Sequence, residues 1–143
     1  MLAFVLFAGC APSVNRYFLI EASLRNHDPK GADAIVAGAE NDYGSKGRVL
    51  YGMDRGMTLQ LAGDYQQSNA VLEQAEDELD RLYTRRIRTE TLAFMTNDTA
   101  LPYEGDPYEQ VLINVLKALN YAVLGQWQEA LVEARRIDHR LNV

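Results

Sequence analysis

The sequence predicts an all-α fold, a short solenoid of stacked helical hairpins with one long loop near 97–107. Three observations predict it. Apolar and small residues recur at intervals of three and four rather than two, two glycine turns share one flanking pattern, and the four prolines are confined to the N-terminus and the loops.

The first hairpin is expected over 16–40. Arg16 to Arg25 forms its first helix, His27-Asp28-Pro29 its turn and Lys30 to Glu40 its second helix, where Ala32, Val36 and Ala39 read small, bulky, small. Gly31 and Gly38 weaken that second helix by up to about 1 kcal/mol each relative to Ala. Gly44-Ser45-Lys46-Gly47 reads as a linker, because a phosphate loop needs a further glycine five residues before its Gly-Lys-Ser/Thr ending.

The second hairpin is expected over 49–79. Met53, Gly56, Met57 and Leu59 give helical spacing up to Gly63-Asp64, and Ser68, Val71, Leu72, Ala75 and Leu79 continue it from Tyr65 as one inward stripe. Leu82 to Met95 extends the helix or forms another, with Ile87, Leu92 and Met95 inward, before the run from Asn97 to Pro107 breaks the pattern with turn formers and two prolines.

The third hairpin, over 109–141, repeats the second. Val115, Ala118, Leu119 and Tyr121 precede Gly125-Gln126, and Ala130, Leu131, Ala134 and Ile137 follow Trp127. Each glycine has an aromatic two residues on, Tyr65 or Trp127, and a small residue three further, Ser68 or Ala130. The glycine permits the tight turn, the aromatic wedges the two helices and the small residue lets their backbones approach closely.

This pattern resembles the tetratricopeptide repeat. Gly56 and Leu59, and again Ala118 and Tyr121, match that family's first-helix small and large positions, and Ser68, Leu72 and Ala75 match the small, bulky, small positions of its second helix. Ala134 and Ile137 invert the last two, and the closing proline is absent from both copies. The glycines lie 62 residues apart, short of two repeats of about 34 residues, so a non-repeating segment intervenes.

The N-terminus carries a different signal. Leu2 to Phe7 is apolar, Ala8-Gly9 is small, and Cys10, the chain's only cysteine, follows. That is how a bacterial lipoprotein signal presents its peptidase with a cleavage site and its cysteine for lipid attachment. Residues 1–9 are then a signal segment and 10–143 a helical-repeat domain. No basic residue precedes Cys10, and Phe7 stands where Leu is usual, so the true start is expected upstream. The alternative is an apolar N-terminus with a buried cysteine. Ala11 in place of Asp, by resemblance to proteobacterial lipoproteins, implies the outer membrane and its periplasmic face.

Together with Tyr51-Gly52-Met53-Asp54-Arg55-Gly56, Gly63-Asp64-Tyr65, Pro102-Tyr103-Glu104-Gly105, Ala118-Leu119-Asn120-Tyr121 and Glu133-Ala134-Arg135-Arg136, these features resemble an uncharacterised family of bacterial repeat-containing lipoproteins. Its members are longer, which implies that this chain is an N-terminal portion or a truncated relative.

Composition excludes some functions. A formal net charge of −6 argues against nucleic acid, whose phosphates call for a basic face. One cysteine allows no internal disulfide. Neither His27 nor His139 has a second His or Cys near it in sequence, so no metal, cofactor or catalytic residue is assigned. Glu73, Glu76, Asp77, Glu78 and Asp80 followed by Arg81, Arg85, Arg86 and Arg88 read as a solvated face, with Asp77 and Arg81 spaced as an i,i+4 pair. Tyr103 and Tyr108 flank acids in a proline-stiffened loop, placed either to anchor a partner or to pack the loop. The expectation is a non-catalytic, lipid-anchored scaffold of the cell envelope, binding a protein or peptide on its first helices, with Arg55, Gln60, Asn120, Tyr103 and Tyr108 as contacts. An activator or catalytic component of an envelope enzyme system, its active part lying after Val143, is the alternative.

Overall fold

A computed structural model describes residues 12–89 and 102–142. They are all-helical, in the order α1 (Pro12–Arg25), α2 (Pro29–Gly38), α3 (Glu40–Tyr43), α4 (Arg48–Leu61), α5 (Tyr65–Thr89), α6 (Pro107–Val123) and α7 (Trp127–Leu141). Cys10, the signal segment, the side chain of Ile87, the expected inward residues Leu92 and Met95, and residues 97–101 of the expected loop lie outside the described residues.

Three antiparallel hairpins arise from three turns of one kind. His27, Gly63 and Gly125 adopt left-handed φ values of 58°, 82° and 74°. The next amide in each case donates back five residues, Asp28 N to Ser23 O at 2.9 Å, Asp64 N to Leu59 O at 2.9 Å and Gln126 N to Tyr121 O at 2.8 Å. This closes the helix ends in Schellman fashion, satisfying carbonyls that helix geometry leaves orphaned. Asp28 and Asp64 then cap the following helices, accepting from Gly31 N at 2.8 Å and Gln67 N at 3.2 Å. The first turn, which lacks glycine, therefore has the same geometry as the two glycine turns.

Helices next to one another in sequence pack together: α1 on α2, α2 on α4, α4 on α5, α5 on α6 and α6 on α7, with α4 also touching α6 and α3 tucked against α2 and α4. The larger apolar core joins Val49 and Met53 of α4 to Leu72, Ala75, Leu79 and Leu82 of α5 and Ile113 of α6. A smaller one joins Ile20, Ala32 and Val36. Small residues set the α4–α5 approach. A Cβ on Gly56 would run into Leu72, and one on Gly52 would lie 2.8 Å from the Ala75 Cβ and 3.4 Å from the Val71 carbonyl oxygen. Gly52→Ala is therefore expected to destabilise the fold by about 1–3 kcal/mol from overpacking, although Ala is the better helix former. Ala75→Gly in the same chain should restore much of the loss, read as paired urea midpoints.

The α5 stripe of Ser68, Val71, Leu72, Ala75 and Leu79 is buried as expected. Other expected faces are corrected. Met57, Leu119 and Leu131 are 41%, 53% and 51% exposed, Ala134 is exposed, and the inward residues of α6 and α7 are instead Ile113, Asn114, Lys117, Asn120 and Glu133. Arg81 pairs with Glu78, Nε to Oε2 at 2.7 Å, and not with Asp77. Helix α6 begins at Pro107, where Asp106 and Glu109 form a capping box.

Candidate functional site

Helix α6 is inverted over its C-terminal two-thirds. Asn114, Lys117 and Asn120, spaced i, i+3, i+6 on one face, are wholly buried, while Leu119 and Val123 are 53% and 63% exposed. Burying such groups is costly unless every one finds a partner. The neighbouring helices supply partners in two clusters, with Asn114 Oδ1 left as a buried acceptor that has none among the described residues.

The first cluster is ionic. Lys117 Nζ meets the Glu73 carboxylate, Glu76 Oε2 at 2.7 Å and Glu133 Oε1 at 3.2 Å. Asn114 Nδ2 donates to Glu76 Oε1 at 2.9 Å and to Glu133 Oε2 at 2.8 Å. Arg136 Nη1 donates to Glu76 Oε2 at 2.9 Å and Arg140 Nη2 to Glu76 Oε1 at 3.0 Å. One lysine thus ties α6 to carboxylates of both α5 and α7. Among the described residues, no group of three or more His, Cys, Asp or Glu is placed to hold a metal ion.

Burial pushes Glu76 up, but the hydrogen bonds from Asn114, Lys117 and Arg140 outweigh it and hold the carboxyl at about 2, against an ordinary 4.5. Burial pulls Lys117 down, and its bonds to Glu73 and Glu76 overcome that and raise it. Both shifts move away from neutrality, so these groups act as fixed charges and not as proton carriers. A depressed folded-state value means that Glu76 contributes its full stabilisation above about pH 4.5 and loses it as pH falls from there through about 2. Urea midpoints across that window should fall by the equivalent of about 2 kcal/mol, and Glu76→Gln should flatten the slope.

The ionic cluster floors a groove of about 890 Å³ between the middle of α5 and the C-terminal half of α7. Asp77, Asp80 and Tyr83 line one wall, Val132, Arg135 and His139 the other, and Pro107 and Gln110 the α6 end. Its chemistry is bipolar, acidic along α5 and basic along α7.

The second cluster is neutral. Asn120 Nδ2 donates to Ser68 Oγ at 2.8 Å and Asn69 Oδ1 at 2.9 Å, and its Oδ1 accepts from Gln60 Nε2 at 2.8 Å. Ser68 Oγ donates to the Gly56 carbonyl at 2.7 Å. Gln60 also reaches the Leu116 carbonyl at 3.4 Å. This seam locks α4, α5 and α6 together.

The expected contact residues fare differently. Gln60 and Asn120 come together, but as this internal seam, and the fully buried Asn120 offers nothing to a partner. Arg55 turns toward α2 and its own helix, with Nη1 donating to the Tyr51 hydroxyl at 3.0 Å and Nε 3.6 Å from Asp33 Oδ1. Tyr103 packs on the larger core. Its hydroxyl donates to Glu109 Oε2 at 2.5 Å and its amide to the Lys46 carbonyl at 2.8 Å, so it pins the segment before α6. Burial, and then the Glu109 bond, push that hydroxyl up. Tyr108 is 69% exposed and free of that packing.

A surface missed from the sequence is apolar. Met57 and Leu61 on α4 stand at the same distance before their turn as Leu119 and Val123 on α6, and all four are exposed. The signal was there in the shared register of the two glycine turns. No family model matches the chain, and no characterised protein or solved structure is significantly similar to it.

Proposed function

We propose that the chain is a non-catalytic interaction scaffold, a short tetratricopeptide-like solenoid tethered through a lipid on Cys10 to the periplasmic face of the bacterial outer membrane. The repeat reading is supported by three turns of one geometry and by packing between helices adjacent in sequence. Buried small and bulky residues at matched positions, Ala32 and Val36, then Ser68 and Leu72, add to it. The binding reading is carried by one observation, the exposed apolar pairs Met57/Leu61 and Leu119/Val123 at equal register on the first helices of two hairpins. Single exposed apolar residues are ordinary on any surface. A pair repeated on α4 and α6, which the Gln60–Asn120 seam holds side by side, is suited to the apolar face of a protein or peptide partner.

Photo-cross-linking in cells tests this reading. A benzophenone amino acid at Leu119 or Leu61 is expected to give discrete protein adducts, and the same probe at the exposed Gln74 of α5 is expected to give none. Equal labelling from all three positions, or none from any, would reject the proposed face.

A further inference from the structure

The first helix carries large apolar side chains that the folded chain leaves uncovered. At about 3.6 residues per turn, Arg16, Ile20 and Leu24 share one face. Arg16 and Ile20 are buried, and Leu24 packs beside Ile20 against the Ala32 and Val36 cluster. The Arg16 guanidinium lies 4.0 Å above the centre of the Tyr43 ring, and the Tyr17 hydroxyl donates to Asp54 Oδ2 at 2.8 Å. These contacts fix the rotation of α1 on α2 and α4. The outward side carries Val14, Phe18 and Leu19, which are 55%, 64% and 50% exposed, with the exposed Asn15 and Ala22 set between Phe18 and Leu19.

Charge on that exposed side is confined to the far end of the helix. Glu21 and Arg25 neutralise one another, with Arg25 Nε and Nη2 donating to Glu21 Oε1 at 2.9 and 2.6 Å. Chain length adds a second constraint. Only Ala11 separates Cys10 from Pro12, the first residue of α1, which limits the distance from anchor to helix to about 7 Å.

From this placement we infer that α1 lies flat on the phospholipid bilayer, pressing Val14, Phe18 and Leu19 into the headgroup and upper acyl region as a second, non-covalent membrane contact. The inference rests on the proposed lipid tether at Cys10. Interfacial contact strengthens with the apolar area it buries, and Phe18 adds an aromatic ring to that area. The helix need not supply the affinity, since the acyl chains do so. Its contribution is orientation, because the packing of Arg16 and Ile20 transmits the position of α1 to α2 and α4.

The test uses the processed, lipid-modified protein in vesicles of phosphatidylethanolamine and phosphatidylglycerol, with and without doxyl-labelled lipid. Phe18→Cys, Val14→Cys and, as control, Gln74→Cys carry an environment-sensitive nitrobenzoxadiazole label, the Cys10 thiol being occupied by the lipid. Intact mass reports the lipid, and far-ultraviolet circular dichroism reports the fold. A lipid-bearing mass with labels at 14 and 18 blue-shifted and quenched several-fold more than at 74 is the expected result. A lipid-bearing mass with quenching no greater at 14 and 18 than at 74 overturns the inference and leaves the tether standing. An unmodified Cys10 overturns the tether and this inference with it.

Discussion

Lys117→Met is expected to destabilise the folded chain by about 3–5 kcal/mol, read as a fall in the urea midpoint with an unchanged slope. The ammonium is fully buried against Glu73, Glu76 and Glu133, and methionine fills its volume without its charge. Arg136 and Arg140 still reach Glu76, but Arg136 remains the nearest cation to Glu133, at 3.4 Å. Breaking a buried pair from one side costs more than replacing the whole set. Adding Glu133→Gln to Lys117→Met should therefore recover part of the loss. A single-variant loss below about 1 kcal/mol, the range of exposed pairs, would show that the network is solvated.

Asn120→Leu is expected to cost about 2–3 kcal/mol, since it strands buried polar groups on two other helices. Asn69 Oδ1 loses the bond from the Asn120 amide, Ser68 Oγ loses a donor, and Gln60 loses an acceptor. Ser68 keeps its bond to the Gly56 carbonyl, so the α4–α5 contact should survive and the loss should fall on the docking of α6. Amide exchange separates these effects: protection should drop in α6 and α7 and persist in α4 and α5. Uniform loss of protection would contradict the seam as a local joint.

Much of the architecture was legible in the sequence because it is local. Gly63, Gly125 and Asp64 announce their turns by backbone chemistry alone, and Val71, Leu72, Ala75 and Leu79 follow the helical period. The first turn was legible through Asp28-Pro29, even though His27 supplies the left-handed residue without being glycine.

The interior of α6 was illegible to the same rule. Hydrophobic periodicity assigns Val115, Ala118 and Leu119 to the core, whereas the fold buries Asn114, Lys117 and Asn120. No local pattern decides this, because the partners of Lys117 are carboxylates on α5 and α7. Glu73 and Glu76, read as a solvated face, sit one turn apart on the α5 surface that α6 covers. Only a pairing between distant segments, Lys117 with Glu76 and Asn120 with Ser68, reverses the face. That reversal explains both why Asn120 is no contact residue and why Leu119 is exposed.

The proposed role depends first on tethering, so the decisive measurement is intact mass and membrane partitioning of the protein expressed from its native gene, beside Cys10→Ser. A chain that begins at Cys10 with two or three acyl groups, and whose serine variant leaves the membrane fraction, is the predicted result. An unmodified chain that keeps Met1 to Gly9 and partitions like its serine variant would contradict the account.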